Sequence, residues 1–292
     1  MTFEVSMVLL VSGLELYSPP ESVERIYQQF PRLRQTAEKL ANKPPKCVEP
    51  TGVMYVRQKQ WGVTYPEDKL DNGDKVICCG TEDVLTCHVI IIRDPYTGVS
   101  SIAHFDEFSK QSSFEKMVES FLEKIRERQE GDWEYWEEGA EGDWEYWESD
   151  DENYEEESVD PVKKESDAVY ELYIVGGYND DAGKAKKISR RFFKHLHDLK
   201  VRLNLVVCCL WEPNTRRYKD GPAQPKISGL CLDVNTGIIE SAVFNRTFTD
   251  FSDGIRDLLL CFPPLIKNKS TLKQMIARQE DRGYGKAQVL CV

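Results

Sequence analysis

Short apolar runs separated by turn residues set the architecture open to this chain. Val53–Gln58, Gly62–Tyr65, Lys75–Cys79, Thr86–Arg93 and Ser100–His104 are rich in Val and Ile, a composition that suits a pleated, half-buried surface. Turn signals punctuate them at Asp71-Asn72-Gly73 and at Asp94-Pro95-Tyr96-Thr97-Gly98. The second signal predicts that Thr86–Arg93 and Ser100–His104 pair antiparallel as a hairpin. The pattern returns later in the chain. Tyr170–Val175 and Leu203–Leu210 read as strands, and Ile227–Val234 and Ile238–Asn245 as a hairpin around Asn235-Thr236-Gly237.

Helical spacing appears between these runs. Glu21 to about Asn42 carries Val23, Ile26, Tyr27 and Phe30 on one face, with a break expected at Pro31 because proline removes a helix donor and clashes with the preceding turn. Ser112–Arg128 repeats Phe114, Met117, Phe121 and Ile125 at spacings of three and four. Asp180 or Asp181 is placed to cap a helix running to about Leu199, with Ile188, Phe192 and Leu196 on one side. Further helices are expected at Asp250–Cys261 and Leu272–Arg278. Strands dominate both halves and helices cover sheet faces, so the class is α+β.

Charge divides the chain more sharply than hydropathy does. The formal net charge is −12, but sixteen of the 50 acids lie between Gln129 and Val162, where there is no Lys or Arg. Elsewhere 38 basic residues face 34 acidic ones. The acidic stretch contains an eleven-residue tandem repeat, starting at Gly131 and Gly142, and four of the six tryptophans. Like charges in such a run repel, so residues 129–166 are expected to be a disordered insertion. It separates an N-terminal half (1–128) from a C-terminal half (167–292) of one domain. Its acidic-aromatic composition would suit a basic partner.

The same counts exclude several functions. No dense Lys/Arg stripe points to nucleic acid. Met7–Val11 is too short to cross a bilayer or to form a signal-peptide core, so no membrane role is expected and the protein is placed in the cytoplasm, with the nucleus as a further site. Nine cysteines without a C-x-x-C spacing read mostly as small buried hydrophobes. Cys78–Cys79 and Cys208–Cys209 are neighbours on strands, so members of each pair face opposite ways. A monomer is expected.

Only four histidines exist: His88, His104, His195 and His197, and none lies in a metal-binding pattern. His195 and His197 are expected to be cations near a helix C-terminus. Cys87 differs from the other cysteines because it opens a strand just after a polar turn, Gly80-Thr-Glu-Asp-Val-Leu-Thr86. A cysteine nucleophile needs a base to take its proton. His88 is adjacent and points to the opposite face of the strand. His104 lies on the partner strand, which the hairpin folds back beside Cys87. An orienting acceptor could come from Thr81, Asp83 or Asp106. A structural cysteine and a buried histidine on neighbouring strands would give the same spacing.

These segments resemble the protein N-terminal asparagine amidohydrolase family. The resemblance is carried by Gly52-Val-Met-Tyr-Val, Leu85-Thr-Cys-His-Val-Ile-Ile-Ile-Arg93, His104-Phe-Asp106, Tyr173-Ile-Val-Gly-Gly-Tyr-Asn-Asp-Asp181 and Gly229-Leu-Cys-Leu-Asp-Val-Asn-Thr-Gly237. It implies a layered α-β-β sandwich, mostly antiparallel, like that of the Cys/His deamidases, with no metal and no cofactor. It also implies Cys87 as nucleophile, His104 as base and Thr81 as a third member. The implied reaction converts the N-terminal Asn of a protein or peptide to Asp, releases ammonia, and feeds the N-degron degradation pathway. Recognition of a chain terminus needs a group for the α-ammonium, for which Asp83, Asp106, Asp180 and Asp181 are candidates. Two other readings are a glutamine deamidase acting on internal residues and a non-catalytic interaction protein that binds through the acidic loop.

Overall fold

The computed structural model describes residues 9–16, 18, 20, 22–70, 72–138, 168–199, 201–245 and 290–291. Among them are four helices and a larger number of strands, an α+β arrangement. The strands are β1 (Leu9–Val11), β2 (Leu14–Leu16), β3 (Lys46–Val48), β4 (Val53–Tyr55), β5 (Gln60–Thr64), β6 (Cys78–Thr81), β7 (His88–Arg93), β8 (Ser100–Phe105), β9 (Val169–Gly176), β10 (Arg202–Leu210), β11 (Thr215–Tyr218), β12 (Gly221–Pro225), β13 (Leu230–Asp233), β14 (Ile239–Phe244) and β15 (Leu290–Cys291). The helices are α1 (Val23–Gln29), α2 (Pro31–Asn42), α3 (Gln111–Glu138) and α4 (Lys184–His197).

Two sheets carry the site. The larger runs β15-β5-β8-β7-β9-β10-β1-β2, and the smaller runs β3-β14-β13-β6-β4. Alternation along the strands sends side chains to different layers. Ile90, Ile92, Leu172 and Ile174 face one way and pack with Phe114, Met117 and Phe121 of α3 and Phe192 and Leu196 of α4. Val89, Ile91, Tyr173 and Val175 face the other way and meet Met54, Cys79, Leu230 and Leu232 of the small sheet. Helices α3 and α4, the large sheet and the small sheet therefore stack in that order, while Ala37, Leu40 and Ala41 of α2 join the core on the small-sheet side. The adjacent cysteines divide as expected: Cys208 lies in the helix-side core and Cys209 between the sheets.

Local chemistry explains the boundaries. Pro31 falls at the first position of α2, where its missing donor does no harm, and α1 ends just before it. The hairpin loops Asp94–Gly98 and Asp233–Gly237 are built alike. Each aspartate accepts from the amides two and three residues on, and each closes with glycine at φ 74 or 71, a region that lacks a penalty only without a Cβ.

Several elements differ from expectation. β6 begins at Cys78 rather than Lys75 and extends to Thr81. Helix α3 continues through residues 129–138, which the charge pattern had assigned to disorder; once a helix is nucleated, each added residue costs little. The rest of that insertion, and the helices expected at 250–261 and 272–278, lie outside the described residues. The β11–β12 hairpin was missed because its strands are polar and largely exposed. Among the described residues no helix is long and apolar enough to cross a membrane.

Candidate active site

β7 and β8 pair antiparallel with His88 opposite Phe105 and Val89 opposite His104. Carried one step further, this register sets Cys87 opposite Asp106. Cys87 and His104 are then diagonal neighbours across the pair, a relation that brings Cβ atoms to about 7 Å or less. Cys87, Val89 and Ile91 all belong to the core between the two sheets, so Cys87 and the His104 ring share that side. Cys87 itself lies one residue ahead of the strand, at the end of the Glu82–Thr86 crossover from the small sheet.

Thr81 completes the contact from the opposite sheet. Its Oγ1 is 2.8 Å from His104 Nδ1, and both residues are buried. The hydroxyl thus fixes the ring's orientation through one nitrogen. The extension of β6 to Thr81 makes this possible, because Thr81 sits two residues beyond Cys79 and shares its inward face.

His88 occupies the other side of the large sheet. Its Nε2 lies 2.7 Å from Ser189 Oγ on α4. That hydroxyl donates to Ala185 O and accepts from Trp211 Nε1, so Nε2 of His88 is the donor in its contact. Burial lowers its pKa to about 3, against the Thr86 carbonyl, and the nearby His104 and Arg191 charges add to the fall. A ring so placed is neutral and structural.

Glycines bring the third strand up to Cys87. Gly176 has φ 124 and Gly177 φ 50, and the Gly177 amide donates to the Cys87 carbonyl at 2.8 Å. A Cβ on Gly176 would collide with the Cys87 carbonyl oxygen, and one on Gly177 would lie 2.8 Å from His88 Cε1. The pair is therefore a close-approach device beside Cys87, which its sequence context did not reveal.

The thiol is held in its protonated form in this resting arrangement. Burial pushes the Cys87 pKa up to about 11, Asp106 and Glu107 push the same way, and Lys59 opposes them.

The four candidate carboxylates separate. Asp106 is buried. Its Oδ1 accepts from the amides of Phe108 and Ser109 at 2.9 Å and from Ser109 Oγ at 3.0 Å, and its Oδ2 accepts from Gln58 Nε2 at 2.9 Å. Burial alone would raise its pKa, but these donors and Lys59 hold it below the ordinary value. Arg191 anchors the same loop by donating to the Asp106 and Glu107 carbonyls at 2.8 and 2.6 Å. Asp180 spends both carboxylate oxygens on the amides of Lys184 and Ala185, capping α4. Asp83 is exposed at φ 60, and Asp181 is exposed and near Arg217. His195 also departs from expectation: burial and Arg191 lower its pKa, so it is not favoured as a helix-end cation.

No group of three or more His, Cys, Asp or Glu among the described residues is arranged to hold a metal ion. A cavity of about 280 Å³ lined by Trp61, Thr64, Asp68, Lys124 and Glu127, among others, does not include Thr81, Cys87 or His104.

A family model described as protein N-terminal asparagine amidohydrolase matches residues 43–136 and 156–251, which include Thr81, Cys87, His104 and Asp106. The chain belongs to that family. It is 23% identical over 238 residues to the protein N-terminal asparagine amidohydrolases of Sus scrofa and Mus musculus, and 22% identical over 242 residues to that of Homo sapiens. Each alignment covers 82% of this chain and 62–63% of the relative. The chain thus spans about three-fifths of the length of the curated relatives it matches.

Proposed function

We propose that this protein hydrolyses the side-chain amide of an N-terminal Asn to Asp and releases ammonia. Cys87 is the nucleophile, His104 the base and Thr81 the residue that orients it. The observation that carries this reading is the buried Thr81–His104 contact on the same inter-sheet side as Cys87, in a chain of this family.

A thiol with its pKa near 11 is not a ready nucleophile, so attack is coupled to proton transfer. His104 takes the Cys87 proton through Nε2 as sulfur bonds to the amide carbon. Thr81 accepts from Nδ1–H and supports the imidazolium that forms. Backbone amides near Cys87 supply the oxyanion contacts. The C–N bond then breaks, and the nitrogen leaves as ammonia with the proton held by His104, giving a thioester. Water attacks the thioester carbonyl as His104 takes its proton. The carboxyl product departs and the proton returns to sulfur.

Of the four carboxylates, Asp106 is the one opposite Cys87 by register, and it is our candidate for the α-ammonium. The product's N-terminal Asp would enter the degradation route that the family resemblance implies. No metal and no organic cofactor take part in this scheme. Ammonia release from matched peptides tests it. An Asn-leading peptide should turn over, whereas its acetyl-Asn and Gln-leading counterparts should not. Equal turnover of the acetylated peptide would instead favour a deamidase of internal residues.

A further inference from the structure

The turn before β5 inserts an ammonium group beside the candidate site. Lys59 adopts φ 66, a left-handed conformation uncommon for residues other than glycine. Its amide donates to the His104 carbonyl at 2.9 Å, which pins the turn to the strand bearing the imidazole. From there the side chain reaches the Asp106 carboxylate, two residues beyond His104: Nζ lies 3.7 Å from Asp106 Oδ2 and 5.1 Å from the centre of the Phe108 ring. Gln58 Nε2 donates to the same carboxylate oxygen.

The two partners are differently anchored. The Asp106 side chain is 4% exposed and that of Lys59 is 46% exposed. The carboxylate is thus fixed by its loop, while the cation is solvated and held only by weak, exchangeable contacts. Phe108 is 70% exposed, a large ring at the surface with its face given to a cation. Carboxylate, ring and amide together have the chemistry that receives a primary ammonium, and a primary ammonium already occupies them.

We infer that Asp106 and Phe108 form the seat for the substrate's α-ammonium and that Lys59 is its resident occupant, displaced when a chain terminus enters. This rests on the proposed reading that the substrate is an N-terminus. The exchange replaces one cation by another, so the charge balance around Cys87 is kept. An acetylated terminus brings no cation and leaves Lys59 in place. Lys59 is therefore a specificity-determining residue that sets the threshold for entry.

Steady-state ammonia release by wild type, Lys59→Met and Lys59→Arg, with n-propylammonium as competitor, tests the seat. Lys59→Met should lower KM for the Asn-leading peptide about two- to fivefold, the worth of a weak exposed pair, with kcat little changed. It should lower the inhibition constant of propylammonium by a similar factor. Lys59→Arg, which keeps a cation, should restore a KM near wild type. A KM that is unchanged or raised in Lys59→Met, or a fall in kcat at constant KM, would overturn the inference. Turnover by wild type with no competition from propylammonium in either protein would sink the seat alone. No turnover of the Asn-leading peptide by wild type would sink the proposed reaction and the seat with it.

Discussion

Replacing Thr81 by Val removes one hydroxyl and little else, so it isolates the residue that holds His104. The Oγ1–Nδ1 contact is 2.8 Å long and both residues are at most 1% exposed, so water cannot replace the lost partner. An unpaired buried polar group costs about 1–3 kcal/mol. If Thr81 supports the imidazolium, the same loss falls on the transition state, and each 1.4 kcal/mol is about tenfold in rate. Thr81→Val should therefore lower kcat/KM about five- to a hundredfold, mostly in kcat, in the ammonia-release assay. Thr81→Ser keeps the hydroxyl and loses a buried methyl, which costs about 1 kcal/mol of stability. It should melt lower than wild type yet keep most of its kcat. Wild-type kcat in Thr81→Val, or equal damage from both variants, would refute the orienting role.

Other consequences follow from the same geometry. Iodoacetamide should alkylate Cys87 about ten times faster per pH unit from pH 7 to 10, because its pKa lies near 11 and only thiolate reacts; a plateau at neutral pH would contradict that environment. His88, lowered to about 3 from 6.5, binds a proton in the unfolded chain but not in the folded one between those values. Its contribution is intact above pH 6.5 and is lost at about 1.4 kcal/mol per unit as pH falls toward 3. Urea titrations should show that slope, and it should flatten in His88→Asn. Gly176→Ala forces a Cβ against the Cys87 carbonyl at φ 124, so kcat should fall more than tenfold, about the effect of misplacing a reacting group by an ångström or so. Mass analysis of tryptic peptides would confirm that Cys87 is still present and reduced.

Much of the frame was legible in the residues. The Asp94–Gly98 signal gave the β7–β8 hairpin, and with it the placing of His104, rather than His88, on the same side as Cys87, because strand alternation alone sends neighbours to opposite faces. The Pro31 break and an aspartate before α4 were also readable, since both act within a few residues; Asp180 and Asp181 could not be told apart, and the cap position itself is Gly183. What could not be read was long-range. Thr81 was one of three nearby acceptors until the family resemblance singled it out, since its reach to His104 depends on how two sheets stack. The four carboxylates looked equivalent in sequence; they separate through partners as far apart as Gln58 and Asp106. Lys59 gave no signal, as a single lysine in a polar turn resembles any other. Helix α3 outran its expected end because charge repulsion in the insertion was weighed more heavily than the ease of extending a formed helix.

In the proposed reaction the sulfur at position 87 performs the chemistry. Ammonia release from an Asn-leading peptide by Cys87→Ala, folded as judged by its melting curve and compared with wild type, tests this most directly. The variant should give a signal at the no-enzyme background. Turnover close to that of wild type would contradict it.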